Sequence, residues 1–321
     1  MDSLLVTGAT GFVGRNLLLR AAASGIPVRA PVRNPDKLRA CLREDGLPQD
    51  SAIPLGPEPG GWGAPTHAVL SAGVLFARNR EEYFAANVDW SLRVLRALPH
   101  ECRVVILSSQ SAGGPTPSGR SARTEGDPDR PITWYGESKL AMENAVAREF
   151  PDRNITVLRP PMILGARDSA TLPLFKMVRG FVRTKPGLRK KIFSFLAVED
   201  VVEAIFTAFD CRRPGPFYLA SERPVSDCEL IASAARAVGG GGLTLRVPQP
   251  LVRLLAAAVD AVPSWRKAAP SLTRDRAREI WPGRWVVDPS AFRAATGWSP
   301  RIGLDEALLA ACSHYRATGK L

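Results

Sequence analysis

Eight residues near the start of the chain, TGATGFVG from Thr7 to Gly14, limit its fold more than any other stretch. They follow the apolar run SLLV, which reads as a buried strand. They lead into FVGRNLLLRAAA, which reads as a helix from Phe12 to Ala23. Gly8, Gly11 and Gly14 thus occupy a strand-to-helix turn in GxxGxxG spacing. Glycine there lets the backbone turn tightly and approach a ligand closely, and the helix start offers unbonded N–H groups and a partial positive charge. That combination suits a pyrophosphate. Elsewhere in a chain the spacing is weak evidence; at the head of a βαβ pattern it has the context the motif requires.

The pattern continues. PVRAPVR (27–33) reads as a second strand, and a helix with Asn34 as N-cap follows through PDKLRACLRE. SAIPL is a weak third strand and HAVLSAG (67–73) a fourth; REEYFAANVDWSLRVLRAL (80–98) reads as one long amphipathic helix. CRVVILSS (102–109) and ITVLRPP (155–161) are the fifth and sixth strands, separated by a helix carrying Tyr135. This alternation predicts an α/β fold, a Rossmann-type doubly wound parallel sheet over residues 1–165 that binds a dinucleotide. The looser pattern of 166–321 predicts a smaller, less regular substrate domain, with 196–221 returning to the sheet domain. Dinucleotide sites that prefer NAD end the second strand with an acid for the ribose 2′-hydroxyl, whereas an arginine there accommodates a 2′-phosphate. Arg33 holds that position and Lys37 lies one turn into the next helix, which favours NADP(H) over NAD(H). Pro31 bears on the register of Arg33, because proline inside a sheet forfeits a ladder hydrogen bond.

WYGESKL (134–140) sets Tyr135 and Lys139 four residues apart at a helix start. Such residues lie about 40° apart around the axis. The stripe continues through Met142, Val146 and Phe150, so both face inward, where an ammonium is costly unless paired or used. Pairing with Glu143 is the ordinary explanation; catalysis is the other. Upstream, Ser108, Ser109 and Ser111 end the fifth strand, at the edge where open α/β sheets bind ligands.

Charge and cysteine content narrow the classes further. The chain of 321 residues carries +12, and KMVRGFVRTKPGLRKK (176–191) holds seven Lys or Arg and no acid. A solvated face is the plainer reading of that run; an anionic-substrate or membrane-surface patch is the alternative. Aromatic interleaving is sparse there and no nucleic-acid motif accompanies it. The helix 251–262 beside WRK (265–267) has the character of a surface-lying amphipathic helix, although packing in the C-terminal domain is favoured. Five scattered cysteines without CxxC, three scattered histidines and no apolar run of about 18 residues lead us to expect a reduced cytoplasmic protein without a metal.

Several segments in order carry a resemblance: TGxxGxxG at 7–14, NV at 87–88, SSQSAGGP at 108–115, YxxxK at 135–139, LRPPMILG at 158–165, FLAVEDVVEAI at 195–205 and ATGWSPRIGLDEAL at 295–308. Over essentially its whole length the chain resembles an extended short-chain dehydrogenase/reductase of the NAD-dependent epimerase/dehydratase kind, and within it the 3-beta-hydroxysteroid dehydrogenase and dihydroflavonol reductase branch. The resemblance implies Tyr135 as general acid or base, Lys139 as the ammonium that lowers its pKa from roughly 10 and binds the nicotinamide ribose, and Ser109 as the hydroxyl orienting the substrate oxygen. It implies cofactor contacts from Thr7, Gly8, Thr10, Gly11, Phe12, Val13, Gly14, Arg33, Lys37, Ser71, Ala72, Gly73, Asn87 and Pro160, besides Tyr135 and Lys139. Dimerisation through helices 80–98 and 134–150 is a further expectation. The sequence departs from the family at PLGPEPGGWGAP (54–65), which lacks the usual adenine-side Asp and has too little chain for the usual helix.

The expected reaction interconverts a hydroxyl and a ketone on a lipophilic small molecule. LPLFKMVRGF, IFSFLA and LVRLLAAAVDAV offer apolar side chains for its pocket. Two rivals stand beside it: a nucleotide-sugar epimerase or dehydratase, and a catalytically silent NADP sensor. Pro160–Pro161 in place of an Asn, and Gln110–Ser111 in place of an Asp–Glu pair, weigh against the sugar enzymes. The intact Ser, Tyr and Lys set weighs against the sensor.

Overall fold

The computed structural model describes residues 1, 3–211, 215–262 and 273–321. In chain order the first part comprises β1 (Leu4–Thr7), α1 (Phe12–Ala23), β2 (Val28–Pro31), α2 (Pro35–Glu44), β3 (Ala52–Leu55), β4 (His67–Leu70), α3 (Arg80–Phe84), α4 (Trp90–Ala97), β5 (Arg103–Leu107), α5 (Gln110–Gly113), α6 (Trp134–Glu149) and β6 (Ile155–Arg159). The chain then runs through β7 (Met162–Leu164), α7 (Leu172–Arg179), β8 (Val182–Pro186), β9 (Ile192–Phe193), β10 (Phe195–Ala197), α8 (Val198–Ala208) and β11 (Gly215–Tyr218). Last come β12 (Val225–Ser226), α9 (Asp227–Val238), β13 (Leu243–Val247), α10 (Gln249–Ala261), α11 (Arg274–Ala277), β14 (Arg284–Trp285), α12 (Ser290–Thr296) and α13 (Leu304–Ala317).

Seven parallel strands form the main sheet in the order β11-β6-β5-β4-β1-β2-β3. The order reverses at β1 and β4, so a crevice opens beyond their carboxyl ends. The predicted doubly wound sheet is the observed one, and β11 returns late in the chain to complete it. Its strands are apolar on both faces because helices cover both. One core gathers around Leu4, Val6, Leu17, Leu158 and Ile205, another around Leu5, Leu70, Val104, Met142 and Val146. A third apolar cluster, with Phe175, Phe195, Ile231, Leu308 and Tyr315, holds the C-terminal part together.

Three details differ from expectation. The fourth strand ends at Leu70, leaving Ser71–Gly73 as loop. The helix read over 80–98 is interrupted by a π-helical turn, Ala85–Asp89, which turns Asn87 inward. Pro31 is the last residue of β2 and pairs only with Leu55 of the edge strand β3, since β1 meets β2 at Val28 and Arg29. It breaks no interior ladder, and Arg33 emerges exposed two residues later. The apolar side chains offered for a substrate pocket divide too: Phe175 and Phe195 are core, while Leu251, Leu254 and Leu255 face solvent. The 265–267 segment lies outside the described residues.

Arg159, on β6, is 2% exposed and links the sheet to α6. It donates to both oxygens of Asp129 at 2.8 Å, to Glu143 at 2.5–3.1 Å and to the Tyr218 hydroxyl at 3.0 Å. Removing one partner from such a buried cluster strands the others. Arg159→Met is expected to destabilise the protein by about 3–5 kcal/mol, read as a fall in the urea midpoint.

Candidate active site

The glycine loop forms one wall of a cleft of about 960 Å³ at the point where the strand order reverses. Thr7, Gly8, Thr10, Gly11, Arg33, Lys37, Ser71, Ala72 and Gly73, all predicted cofactor residues, line it together with Pro57, Glu58, Asp89 and Trp90. Gly8 has φ +72°, and a Cβ there would lie 2.8 Å from the Ala72 amide nitrogen. Gly14 does not reach the cleft: a Cβ on it would meet the Gly8 carbonyl oxygen at 2.1 Å, so it lets α1 sit against the loop. Val13 packs its side chain on the core. The amides of Phe12, Val13 and Gly14 begin α1 with no side-chain cap from Gly11, which leaves them available to an anion.

Other predicted residues brace the site. The Thr7 hydroxyl receives the Ala72 N–H at 3.2 Å and Ser71 donates to the Thr7 carbonyl at 2.6 Å, tying β1 to the loop after β4. Asn87 accepts from the Val74 N–H at 3.0 Å and donates to Ser138 on α6 at 2.9 Å. Pro160 is buried, its carbonyl taken by the Gln110 N–H at 3.0 Å. The atypical 54–65 segment forms no helix; Trp62 plugs it instead, 4% exposed, donating to the Gly56 carbonyl at 2.9 Å and meeting Trp90 edge-on at 6.3 Å. That plug holds Pro57 and Glu58 at the cleft wall.

Tyr135 and Lys139 occupy the first turns of α6, whose start is capped by Thr133. Of the three upstream serines only Ser109 acts on the Tyr135 hydroxyl, drawing its pKa down against burial. Ser108 donates to Glu143, and Ser111 donates to Glu279 at 3.1 Å. Glu143 is thereby engaged by Ser108 and Arg159 and forms no salt bridge with Lys139. Lys139, 7% exposed, donates instead to the Leu107 carbonyl at 2.9 Å. A Cβ on Gly73, a cleft residue, would sit 3.3 Å from its Nζ, so the ammonium lies against the cleft wall at this glycine.

The cation over the Tyr135 ring is one the sequence reading missed. Arg276 lies 5.4 Å from its centroid and 5.5 Å from that of Phe76. It is held by Glu279 at 3.1 Å, which also receives the hydroxyls of Ser111 and Thr133. Asp275 accepts the Trp134 N–H at 3.2 Å, so α11 is fastened to the start of α6. Residues 274–279 show no periodicity, and only their density of charge could have drawn notice. Burial pushes the Tyr135 hydroxyl up to about 12, against the opposing pull of Ser109 and Arg276. Burial brings Lys139 down to about 8, with the charge of Glu143 resisting. The expected lowering of Tyr135 by Lys139 is not what the structure has: burial outweighs everything else and raises the hydroxyl, and the groups that oppose it are Ser109 and Arg276, not Lys139.

With this geometry in view, comparison with known proteins is informative. Residues 4–218 match the NAD dependent epimerase/dehydratase family. The chain belongs to this family. It is 28% identical to a ceramide reductase of Caulobacter vibrioides (strain NA1000 / CB15N), over 98% of this chain and 95% of the relative. Its fold is similar to MoeE5 in complex with UDP-glucuronic acid and NAD, with a TM-score of 0.72 and 22% identity over 99% of this chain and 100% of that one. It is likewise similar to RMD from Pseudomonas aeruginosa complexed with NADPH, with a TM-score of 0.71 and 20% identity over 99% and 100% of the two chains. The protein is an NAD(P)-dependent enzyme of the extended short-chain type, and its cleft fits the dinucleotide. The free amides of α1 suit the pyrophosphate, the glycines permit its close approach, and Arg33 and Lys37 line the same cleft.

The buried ammonium makes a testable cost. The folded pKa of Lys139 lies below the ordinary value of roughly 10.4, so between about pH 8 and 10.4 the unfolded chain binds more protons and this residue's contribution to stability rises with pH. Lys139→Met is expected to exceed wild type in stability at pH 7. That margin should shrink as the pH rises through this window, as measured by urea unfolding at each pH.

Proposed function

We propose that this enzyme uses NADP(H) to interconvert a ketone and a hydroxyl on a lipophilic small molecule. The observation that carries the reading is a half-buried Tyr135 whose phenolate the Ser109 hydroxyl favours, one helical turn from a buried Lys139 that Glu143 does not pair. The bound nicotinamide supplies the hydride. Ser109 orients the substrate oxygen, and Tyr135 gives it the proton. Held near 12, Tyr135 is protonated at neutral pH and is therefore prepared as an acid. The phenolate left behind is stabilised by the Ser109 hydroxyl and by the Arg276 charge over its ring. Lys139, bordering Gly73, would hold the ribose hydroxyls, and Arg33 with Lys37 would receive the 2′-phosphate. Similarity to a ceramide reductase over nearly the full chain supports a lipophilic substrate, as does the apolar neighbourhood of Phe76 and Tyr83 beside Tyr135.

Turnover of NADPH with a series of ketones of increasing apolar chain length tests this reading. We expect kcat/KM to rise with chain length, and Tyr135→Phe to lower kcat by about 10²–10⁴ while NADPH affinity holds. Selective turnover of nucleotide-sugar ketones, or a Tyr135→Phe enzyme as fast as wild type, contradicts it. Arg276→Leu removes a charge that favours the phenolate. The rising limb of the pH–rate profile for alcohol oxidation, which needs Tyr135 deprotonated, should therefore move to higher pH in that variant.

A further inference from the structure

Exposed apolar side chains are normal when scattered and informative when gathered. Among the described residues, eight of the twelve large hydrophobic side chains that stand exposed fall within 181–188 and 243–255. The cause is a small parallel pair, β8 with β13, in which Val182 faces Leu243 and Thr184 faces Leu245. Along β8 burial alternates: Arg183 and Lys185 point inward, leaving Val182, Thr184 and Pro186 outward. Phe181 is 71% exposed at one end of the strand and Leu188 is 60% exposed just past the other. Directly after β13, α10 buries Val252, Ala256 and Val259 and shows Leu251, Leu254 and Leu255 to solvent on another face.

The charge around this surface is of one sign. No Asp or Glu occurs in 176–191 or in 230–259. Three of the seven basic residues in 176–191 are used internally: Arg183 donates to the Gly240 carbonyl, Lys185 pairs with Asp227 at 2.8 Å, and Lys191 donates to the Pro186 carbonyl. The other four, Lys176, Arg179, Arg189 and Lys190, are exposed, as is Arg246. None of these five forms an ion pair among the described residues. Solvent-facing leucines and a phenylalanine with unpaired bases around them suit an extended, negatively charged, apolar-cored partner. A second copy in a two-fold contact would bring this positive surface against itself.

We propose that residues 181–190 and 243–255 form a docking surface for the anionic phospholipid bilayer. The surface is joined to the catalytic centre. Arg253 on α10 stacks on Trp281 at 5.7 Å, and Asp260 on α10 accepts the Arg274 N–H at 2.9 Å. Both contacts lead into the segment that carries Arg276 over Tyr135. The inference rests on this surface alone and not on which ketone is reduced.

Sedimentation with vesicles tests it, using phosphatidylcholine alone and phosphatidylcholine with about 30 mol% phosphatidylglycerol, at roughly 0.1 M and 0.5 M salt. We expect wild type to bind the anionic vesicles at least about tenfold better than the neutral ones at low salt, and to lose most of that margin at high salt. Leu254→Glu/Leu255→Glu and the uncharged Leu254→Ser/Leu255→Ser should both lose binding while keeping the wild-type thermal midpoint. Arg189→Glu/Lys190→Glu should lose the preference for anionic lipid. Wild type that stays in the supernatant, binds both vesicles equally, or stays bound in all three variants overturns the proposal. So does a solution dimer that Leu254→Glu/Leu255→Glu dissociates, since that assigns the surface to self-association.

Discussion

Arg159 carries its guanidinium into the interior of the molecule, and three elements are arranged around that charge. It grips Asp129 ahead of α6, Glu143 on that helix and Tyr218 on β11, the strand of the sheet that comes last in the chain. A buried charge is tolerated only when its partners are close and well oriented. These partners therefore fix how α6 lies against β5 and β6. The same contacts decide the chemistry, because a Glu143 held by Arg159 and Ser108 does not form a salt bridge with Lys139 four residues earlier. The lysine turns to the Leu107 carbonyl and the floor of the cleft instead.

The second constraint is the loop after β4. Gly73 has Asn87 and Lys139 so close that a side chain there would collide with the asparagine oxygen at 2.8 Å. The π-helical turn that carries Asn87 inward binds this loop to α6 through Ser138. The cleft and α6 are thereby held at one distance by a single buried amide. On the opposite side α11 closes over the tyrosine, bound to α6 through Asp275 and Glu279.

Much of this was legible in the residues. Periodicity found the strands and helices of the sheet, because a parallel sheet covered on both faces requires continuous apolar runs. The glycine spacing located the turn, and the inward stripe from Tyr135 to Phe150 identified the buried face of α6. Ser109 was singled out over Ser108 and Ser111, and the structure shows each of the other two bonded to a carboxylate. What escaped were contacts between segments far apart in the chain. Arg159 was read only as part of a motif, and its network joins residues 129, 143 and 218. Arg276 comes from a stretch without pattern and reaches Tyr135 from far along the chain, just as Asp275 reaches Trp134 across 141 positions. The solvent-facing leucines of α10 looked like pocket residues because amphipathic spacing does not say which of two apolar stripes is covered.

The account turns on a nucleotide cleft built around Arg33 and feeding a protonated tyrosine. Fluorescence titration of NADPH and NADH against wild type and Arg33→Ala addresses it most directly. The account predicts NADPH binding at least about tenfold tighter than NADH, a margin of about 1.4 kcal/mol, and its loss in Arg33→Ala. Equal binding of the two by wild type contradicts the role given to Arg33, and binding of neither contradicts the account as a whole.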